Sequence, residues 1–322
     1  MPRGIMAVIL VPLRALISKN MKKIICIGEC SLNVILDAKG QPCGTLTGGR
    51  IAMAATMMAR NGFEVHMASE MCADRVGDIV AATLIEAGVD VKSVDRFTEG
   101  RTPVNIFVQG ADGTTGLTRY EAYPEEAFDI IWPRIDEGDI VVFGGYYALD
   151  RRMRQRLSRL LVHAIERKAI LVYLPGFLPE QETRITRVMP QLLENLEMAT
   201  IVVSRNKDLK LIFGQKTPDA CYRNHIDFYC RALMNVDGEN NCITLYAGNE
   251  HTTVEVEPTY CRTMLWNAGA VAGMVNAIAA SDLTVADLDT PSEEIRKRIL
   301  EAAVRSATAA ASVIKHPWQA IE

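Results

Sequence analysis

The chain has 322 residues, 49% hydrophobic and 23% charged, with a net charge of −4. That is a globular composition, long enough for one large α/β domain or two small ones, and with no basic stripe it excludes nucleic acid as an expected partner. Its eight cysteines form no CxxC pair and its five histidines no HExxH, so no metal site built from protein side chains alone is expected, and the thiols read as reduced core residues of a cytoplasmic protein.

Residues 1–20 have a basic start and an apolar run from Ile5 to Leu13 broken by Pro12. The run is too short to span a bilayer and lacks a small-residue cleavage site, so this stretch is expected to be an extension outside the fold. No other segment approaches a transmembrane span, and a single domain is expected over 21–322. Lys23–Gly28 is a continuous apolar run, as in a buried parallel strand. Gly48-Gly49 precede a helix over Arg50–Asn61 that ends at Gly62. Val65–Ser69 reads as a strand, and Asp74 as the cap of a helix over Val76–Ala87.

Two runs then break the alternation. Pro103–Gln109 and Thr115–Ala122 flank the turn signal Ala111-Asp112-Gly113. With strands over 32–36 and 42–47 they predict a small separate sheet, an inserted lid within 32–47 and 102–123. Strands follow at Ile140–Gly144, Ile170–Leu174, Thr200–Ser204 and Cys242–Ala247. Between them Asp150 caps a helix with an arginine-rich outer face, which reads as a solvated face rather than an anion site. Pro179–Met198 reads as helix kinked at Pro190. Asn206 follows its strand as an N-cap, and Thr217-Pro218-Asp219 opens another helix. Thr290-Pro291-Ser292-Glu293 reads as a capping box opening a last helix to about Ile314.

The stretch Thr263–Ala280 holds the chemistry. It follows an alternating run with Thr252, Val254 and Val256 on one face, and Asn267 is its expected N-cap. The small residues Ala268, Gly269, Ala270, Ala272 and Gly273 serve either close helix packing or the approach of an anion to free backbone N–H groups. There is neither a GxxxxGKS/T nor a GxGxxG segment, which speaks against a P-loop NTPase and a dinucleotide-binding enzyme. Strands alternating with helices predict an α/β fold with a parallel sheet covered on both faces.

From Met21 onward the order of these features resembles the PfkB (ribokinase-like) carbohydrate kinase family. The resemblance rests on Gly28-Glu29, Gly48-Gly49, the segment ARNGFEVHMASEMCADRVGD, Ala87-Gly88-Val89-Asp90, Arg101-Thr102-Pro103, the strand–Asn206 step and WNAGAVAGMVNAIA. It implies a three-layer αβα sandwich with a mainly parallel sheet and a small β lid that often forms a dimer surface. It also implies a sugar-like substrate held by the first part of the chain and ATP, with Mg2+, bound by the second. Asn33, Gly48 and Gly49 would be substrate-binding. Asn206, Thr244, Gly248, Asn267 and Gly269 would be nucleotide- or anion-binding.

The family's catalytic aspartate lies in a GAGD signature. Here either register places alanine there, Ala268 or Ala270, and no acid lies between Pro258 and Ser281. The sugar-binding aspartate becomes Asn33, and the asparagine after the double glycine becomes Met53. The family's Asp-Pro-Asn reads Leu174-Pro175-Gly176, and Leu209 replaces the glutamate of NxxE, with Asp208 expected to point elsewhere on its helix. The resemblance therefore implies a kinase-like protein with impaired or lost phosphoryl transfer. An active sugar or nucleoside kinase using Asp208, Glu29 or Asp74 as base is the alternative, and a structural or regulatory dimer is the third reading.

Overall fold

Short strands apolar on both faces need cover on both sides, and here they receive it. The computed structural model describes residues 22–110, 115–124, 131–177, 180–257 and 263–314. The first half runs β1 (Ile24–Ile27), β2 (Ser31–Leu36), β3 (Pro42–Gly48), α1 (Arg50–Arg60), β4 (Val65–Cys72), α2 (Arg75–Glu86), β5 (Asp90–Phe97), β6 (Arg101–Gln109), β7 (Thr115–Ala122) and β8 (Ile140–Gly144). It continues with α3 (Arg151–Glu166), β9 (Ile170–Leu174), α4 (Met189–Met198), β10 (Ile201–Arg205), α5 (Asn206–Phe213) and α6 (Pro218–Cys221). The chain then forms β11 (Ala232–Asp237), β12 (Cys242–Ala247), β13 (Glu250–Glu255), α7 (Met264–Ala279), α8 (Val285–Asp289) and α9 (Glu293–Ser312).

Nine strands form one sheet in the order β13-β12-β11-β10-β9-β8-β1-β4-β5, parallel from β11 to β5 and closed by the antiparallel pair β12 and β13. Side chains alternate between two cores. Ile24 and Cys26 join α1, α7 and α9 on one face, while Ile25 and Ile27 join α3, α4 and α5 on the other. The small sheet β3-β2-β6-β7 stands apart as a lid, as expected from its interruption of the α/β rhythm. Its β2 and β6 are parallel, with Asn33 opposite Asn105. The 1–20 extension and the Ala111-Asp112-Gly113 turn lie outside the described residues.

Several local expectations shift. Thr263, not Asn267, caps α7: its hydroxyl accepts from the Trp266 N–H, and Asn267 sits a turn further on, donating its own amide to the Thr263 carbonyl at 2.8 Å. Pro190 lies in the first turn of α4 rather than kinking a longer helix, because its missing N–H is tolerated only there. Arg205 takes the N-cap position of α5 and Asn206 is its first residue. Ser292 caps α9, and the capping box belongs instead to α8, between Thr284 and Asp287. The strands β5 and β11 and the helix α8 were not expected. In β5 the charges of Asp90, Lys92, Asp95 and Arg96 hide the apolar pattern of a sheet edge.

Candidate functional site

The order of the main sheet reverses at β1. The chain builds β4 and β5 on one side of that strand, then returns to build β8 and its successors on the other. Ligands of open α/β sheets bind outside the carboxyl ends of the strands at such a switch point. A cavity of about 460 Å3 lies there. Its floor is Glu29 after β1, Gly144 at the end of β8 with Gly145 after it, Leu174 at the end of β9 with Gly176 beyond it, and Arg205 of β10. Its roof is the inner face of the lid, where Asn33, Asn105, Phe107, Leu117 and Arg119 point inward at alternate strand positions.

The lid end is a continuous polar network. Arg119 grips Glu29 with two parallel hydrogen bonds, at 3.0 and 2.6 Å, and also pairs with Glu121. Burial pulls the Arg119 guanidinium down, but the two carboxylates outweigh it, and it stays charged. Arg119 Nη1 donates to Asn105 Oδ1 at 2.9 Å, and Asn105 Nδ2 donates to Asn33 Oδ1 at 2.9 Å. Gln181 donates to Glu29 at 3.1 Å. The Asn33 amide N–H has only the Met264 sulfur at 3.7 Å, a weak acceptor, although Asn33 is 3% exposed.

The double glycine lets α1 begin against this network. A Cβ on Gly48 would sit 2.1 Å from Ser31 Oγ, and one on Gly49 would sit 2.0 Å from the Glu29 carbonyl oxygen. Gly49 has φ of 89°, so glycine is required on both grounds. The Gly49 turn also delivers Arg50 into the cavity.

The opposite end carries a knot of charge. Arg50 Nη1 meets Asp208 Oδ2 at 2.6 Å, and Arg205 grips both oxygens of the same carboxylate at 2.9 and 2.6 Å. Burial would raise the Asp208 carboxyl, but Arg205 first and Arg50 second overcome it and hold the pKa at about 2. The expectation that Asp208 points elsewhere on its helix is therefore corrected: it lines the cavity. Leu209, at the family's glutamate position, is buried in the core between the sheet and α3–α5.

The start of α7 forms the wall between these ends. Met264, Asn267, Ala268 and Val271 line the cavity. Ala268 lies on the wall, whereas Ala270 is fully buried in the core. Gly269 does not reach the cavity. Its Cα faces α9, where an added Cβ would meet Ala307 and Ala310 at 2.8 Å. For Gly269 and Gly273 the packing role of small residues is the one realised.

Other expected positions lie elsewhere. Asn206 is buried at the start of α5 outside the cavity lining, its Oδ1 without a partner and its Nδ2 near Glu239 at 3.5 Å. Thr244 sits mid-strand in β12, bonded to Thr253 Oγ1 at 2.9 Å. Gly248 lies at the far end of the sheet, because β12 runs antiparallel. Its N–H donates to the Tyr222 hydroxyl at 2.6 Å. Asp74 caps α2 and receives three bonds, from Gly77 N, Thr102 N and Thr102 Oγ1, outside the cavity. Arg50, Asn105, Arg119 and Arg205 went unnoticed in the sequence. Each had a signal: a charge directly after Gly48-Gly49, polar residues at inward positions of the lid strands, and a charge directly before Asn206.

The comparisons agree with this architecture. No curated protein matches the chain. Solved structures do, at low identity. The fructokinase from Vibrio cholerae O395, in a fructose, ADP and calcium ion bound form, is 15% identical with a TM-score of 0.77, over 93% of this chain and 94% of that one. The aminoimidazole riboside kinase from Salmonella enterica, complexed with aminoimidazole riboside and an ATP analog, is 14% identical with a TM-score of 0.75, over 92% and 94%. The fructokinase from Xylella fastidiosa with bound ATP is 18% identical with a TM-score of 0.70, over 92% and 96%. These likenesses show the ribokinase-like fold. The family model of the pfkB carbohydrate kinases matches residues 21–315, and the chain belongs to that family.

Proposed function

We propose that this chain keeps the carbohydrate-kinase fold but has little or no ATP-dependent phosphoryl transfer, and acts by binding a small polar metabolite in the cavity under the lid. The observation that carries this reading is alanine at position 268 of a cavity wall whose carboxylate Asp208 is held by two arginines. Ala268 occupies the cavity wall where a carboxylate would take the proton of a sugar-like hydroxyl, and alanine neither accepts a proton nor orients one. Asp208 lines the same cavity, and its pKa of about 2 makes it a weak base at neutral pH. Glu29 is already bound by Arg119 and Gln181, and Asp74 by the start of α2 and Thr102.

A magnesium ion that accompanies a nucleotide needs only one or two protein carboxylates beside the phosphates. Of the three carboxylates that line this cavity, Glu29 and Asp208 are engaged by guanidinium groups, and Glu180 is the third. Among the described residues no group of three or more His, Cys, Asp or Glu side chains is placed to hold a metal.

The test is ATP-dependent phosphorylation of a panel of sugars and nucleosides by the wild type and Ala268→Asp. The wild type is expected at the level of the enzyme-free blank. Ala268→Asp is expected to rise about 10- to 100-fold above it, a fraction of the roughly 100- to 10,000-fold worth of general-base assistance. Wild-type turnover that Ala268→Asp does not raise sinks the reading.

The proposed setting is cytoplasmic, in keeping with free thiols at all seven described cysteines. Among the described residues no helix is long and apolar enough to cross a membrane. The outer face of the lid supports a homodimer. Where Asn105 and Arg119 point inward, Val34, Ile106, Val108 and Tyr120 point outward, the last two being 37% and 59% exposed. Light scattering after gel filtration is expected to give twice the chain mass, and Val108→Asp with Tyr120→Asp the single mass. A monomeric wild type at about 100 μM, well above a micromolar dissociation constant, would rule out the lid dimer.

A further inference from the structure

Away from the cavity, one buried cluster holds more carboxylate than cation. Glu70 of β4 is 1% exposed, and its register neighbour on β5 is Asp95, so two carboxylates stand side by side on one face of the sheet. Asp150, the N-cap of α3, is a third carboxylate close enough to act on Glu70. The guanidinium that answers them is Arg152, and it is held mainly by Asp150. Its Nε and Nη2 donate to Asp150 Oδ2 at 3.1 and 2.8 Å, whereas Nη2 reaches Glu70 Oε2 only at 3.3 Å. Glu70 Oε1, Asp95 Oδ2 and the hydroxyl of Tyr147, on the turn before α3, are buried without a partner among the described residues. Tyr147 lies in the field of both Glu70 and Cys30, but burial pushes its phenol well above the usual range and the Cys30 thiol up to about 12, so both stay neutral near pH 7. Glu70 behaves differently. Burial pushes its carboxyl up to about 7, Arg152 opposes that rise, and Asp150 and Asp95 add to it.

Arg152 also holds the lid. Its Nη1 donates to the Pro124 carbonyl at 3.3 Å, and its guanidinium lies 4.7 Å from the centre of the Tyr123 ring. Tyr123 and Pro124 directly follow β7, the strand that carries Arg119 and Glu121, and Tyr123 meets Phe97 at the end of β5 edge to face. Glu70 and the end of the lid thus compete for one side chain. A neutral Glu70 makes little demand on it. An ionised Glu70, 0% exposed at its side chain and beside two other carboxylates, needs the guanidinium drawn inward. We propose that Glu70 works as a proton-operated latch for the lid: neutral, it leaves Arg152 on Tyr123 and Pro124 and keeps the end of β7 closed onto the body, and ionised, it draws Arg152 away and frees that end. A carboxyl raised in the fold supports the closed arrangement fully below its ordinary value of 4.5, and that support is lost as the pH rises through about 7. The latch does not depend on what the cavity binds.

The test is hydrogen exchange of the whole chain across a pH series from about 6 to 8, corrected for intrinsic amide chemistry and read by mass spectrometry for β7 against α9. In the wild type, protection of β7 is expected to fall by about fivefold or more beyond any fall in α9 over that range. Glu70→Gln, nearly the same shape without the charge, should hold β7 at its acid-side protection throughout. Arg152→Ala should lower β7 protection at every pH. Asp95→Asn serves as a further variant should Glu70→Gln fail to fold: with one neighbouring carboxylate gone, the midpoint near pH 7 should fall by about half a pH unit. Protection of β7 that merely tracks α9 in the wild type would overturn the latch. So would a Glu70→Gln variant as pH-sensitive as the wild type, wild-type protection in Arg152→Ala, or an unmoved midpoint in Asp95→Asn.

Discussion

Asp208→Asn is expected to destabilise the protein by about 3 to 5 kcal/mol, the range for removing one partner of a buried ion pair. The reason is the asymmetry of the knot. One carboxylate, 4% exposed at its side chain, holds Arg50 and Arg205 together, and asparagine leaves both guanidinium groups in a partly desolvated cavity without a counter-charge. The same group gives the wild type an acid limb. Its carboxyl is lowered from 3.8 in the unfolded chain to about 2 in the fold. A depressed pKa contributes stability that is present above about pH 4 and lost as the pH falls toward 2, roughly 2 kcal/mol in all. Urea unfolding of wild type and Asp208→Asn at pH 7 and pH 3 measures both effects. The two proteins should differ by several kcal/mol at pH 7, and the difference should narrow by about 1 kcal/mol at pH 3. A difference under about 1 kcal/mol at pH 7 would mean that the two arginines do not depend on Asp208.

Gly273→Val is expected to cost about 3 kcal/mol or more, at the upper end of core overpacking. Gly269 and Gly273 lie four residues apart on one face of α7, where α9 approaches closely. A Cβ at Gly273 would stand 2.2 Å from the Ala302 carbonyl oxygen and 2.7 Å from Ser306 Cβ. The first of these is backbone, which cannot rotate away, so α7 and α9 must separate. The variant should also loosen the cavity wall, because α7 carries Asn267 and Ala268. Thermal unfolding checks the first effect. An unchanged midpoint would show that the two helices part at little cost.

The fold was legible because its grammar is local. KIICIG reads as a buried strand, Asp150 as a cap and Pro103–Ala122 as a hairpin that cannot join a parallel layer, and each is where the residues place it. Helix starts were less legible. Asn267 has the chemistry of a cap, but Thr263 reaches the free N–H groups one turn earlier, and sequence alone does not choose between two competent caps. The cavity was legible where it is built on glycine. Gly48 and Gly49 are forced by a close approach and a positive φ, which leave a mark in any sequence. The charged residues that give the site its character leave a weaker mark, a charge or polar residue at a suggestive position whose partner lies far off in the chain. Arg119 and Asn105 reach Glu29 and Asn33 only through the register of the lid strands, and Arg50 reaches Asp208 across 158 positions of chain. Ala268 was identified by what is missing. The structure adds that Asp208, which lines the same cavity, is held by two arginines in a state unsuited to accept a proton.

The most direct test of the central claim is the steady-state rate at which the wild type forms phosphorylated sugar from fructose or ribose with ATP and Mg2+ at neutral pH. Without a base at Ala268 and with Asp208 held as a weakly basic carboxylate, the rate should lie below about 0.01 per second, against roughly 1 to 100 per second for working kinases. A rate of about 1 per second or more with any of these acceptors would contradict the account.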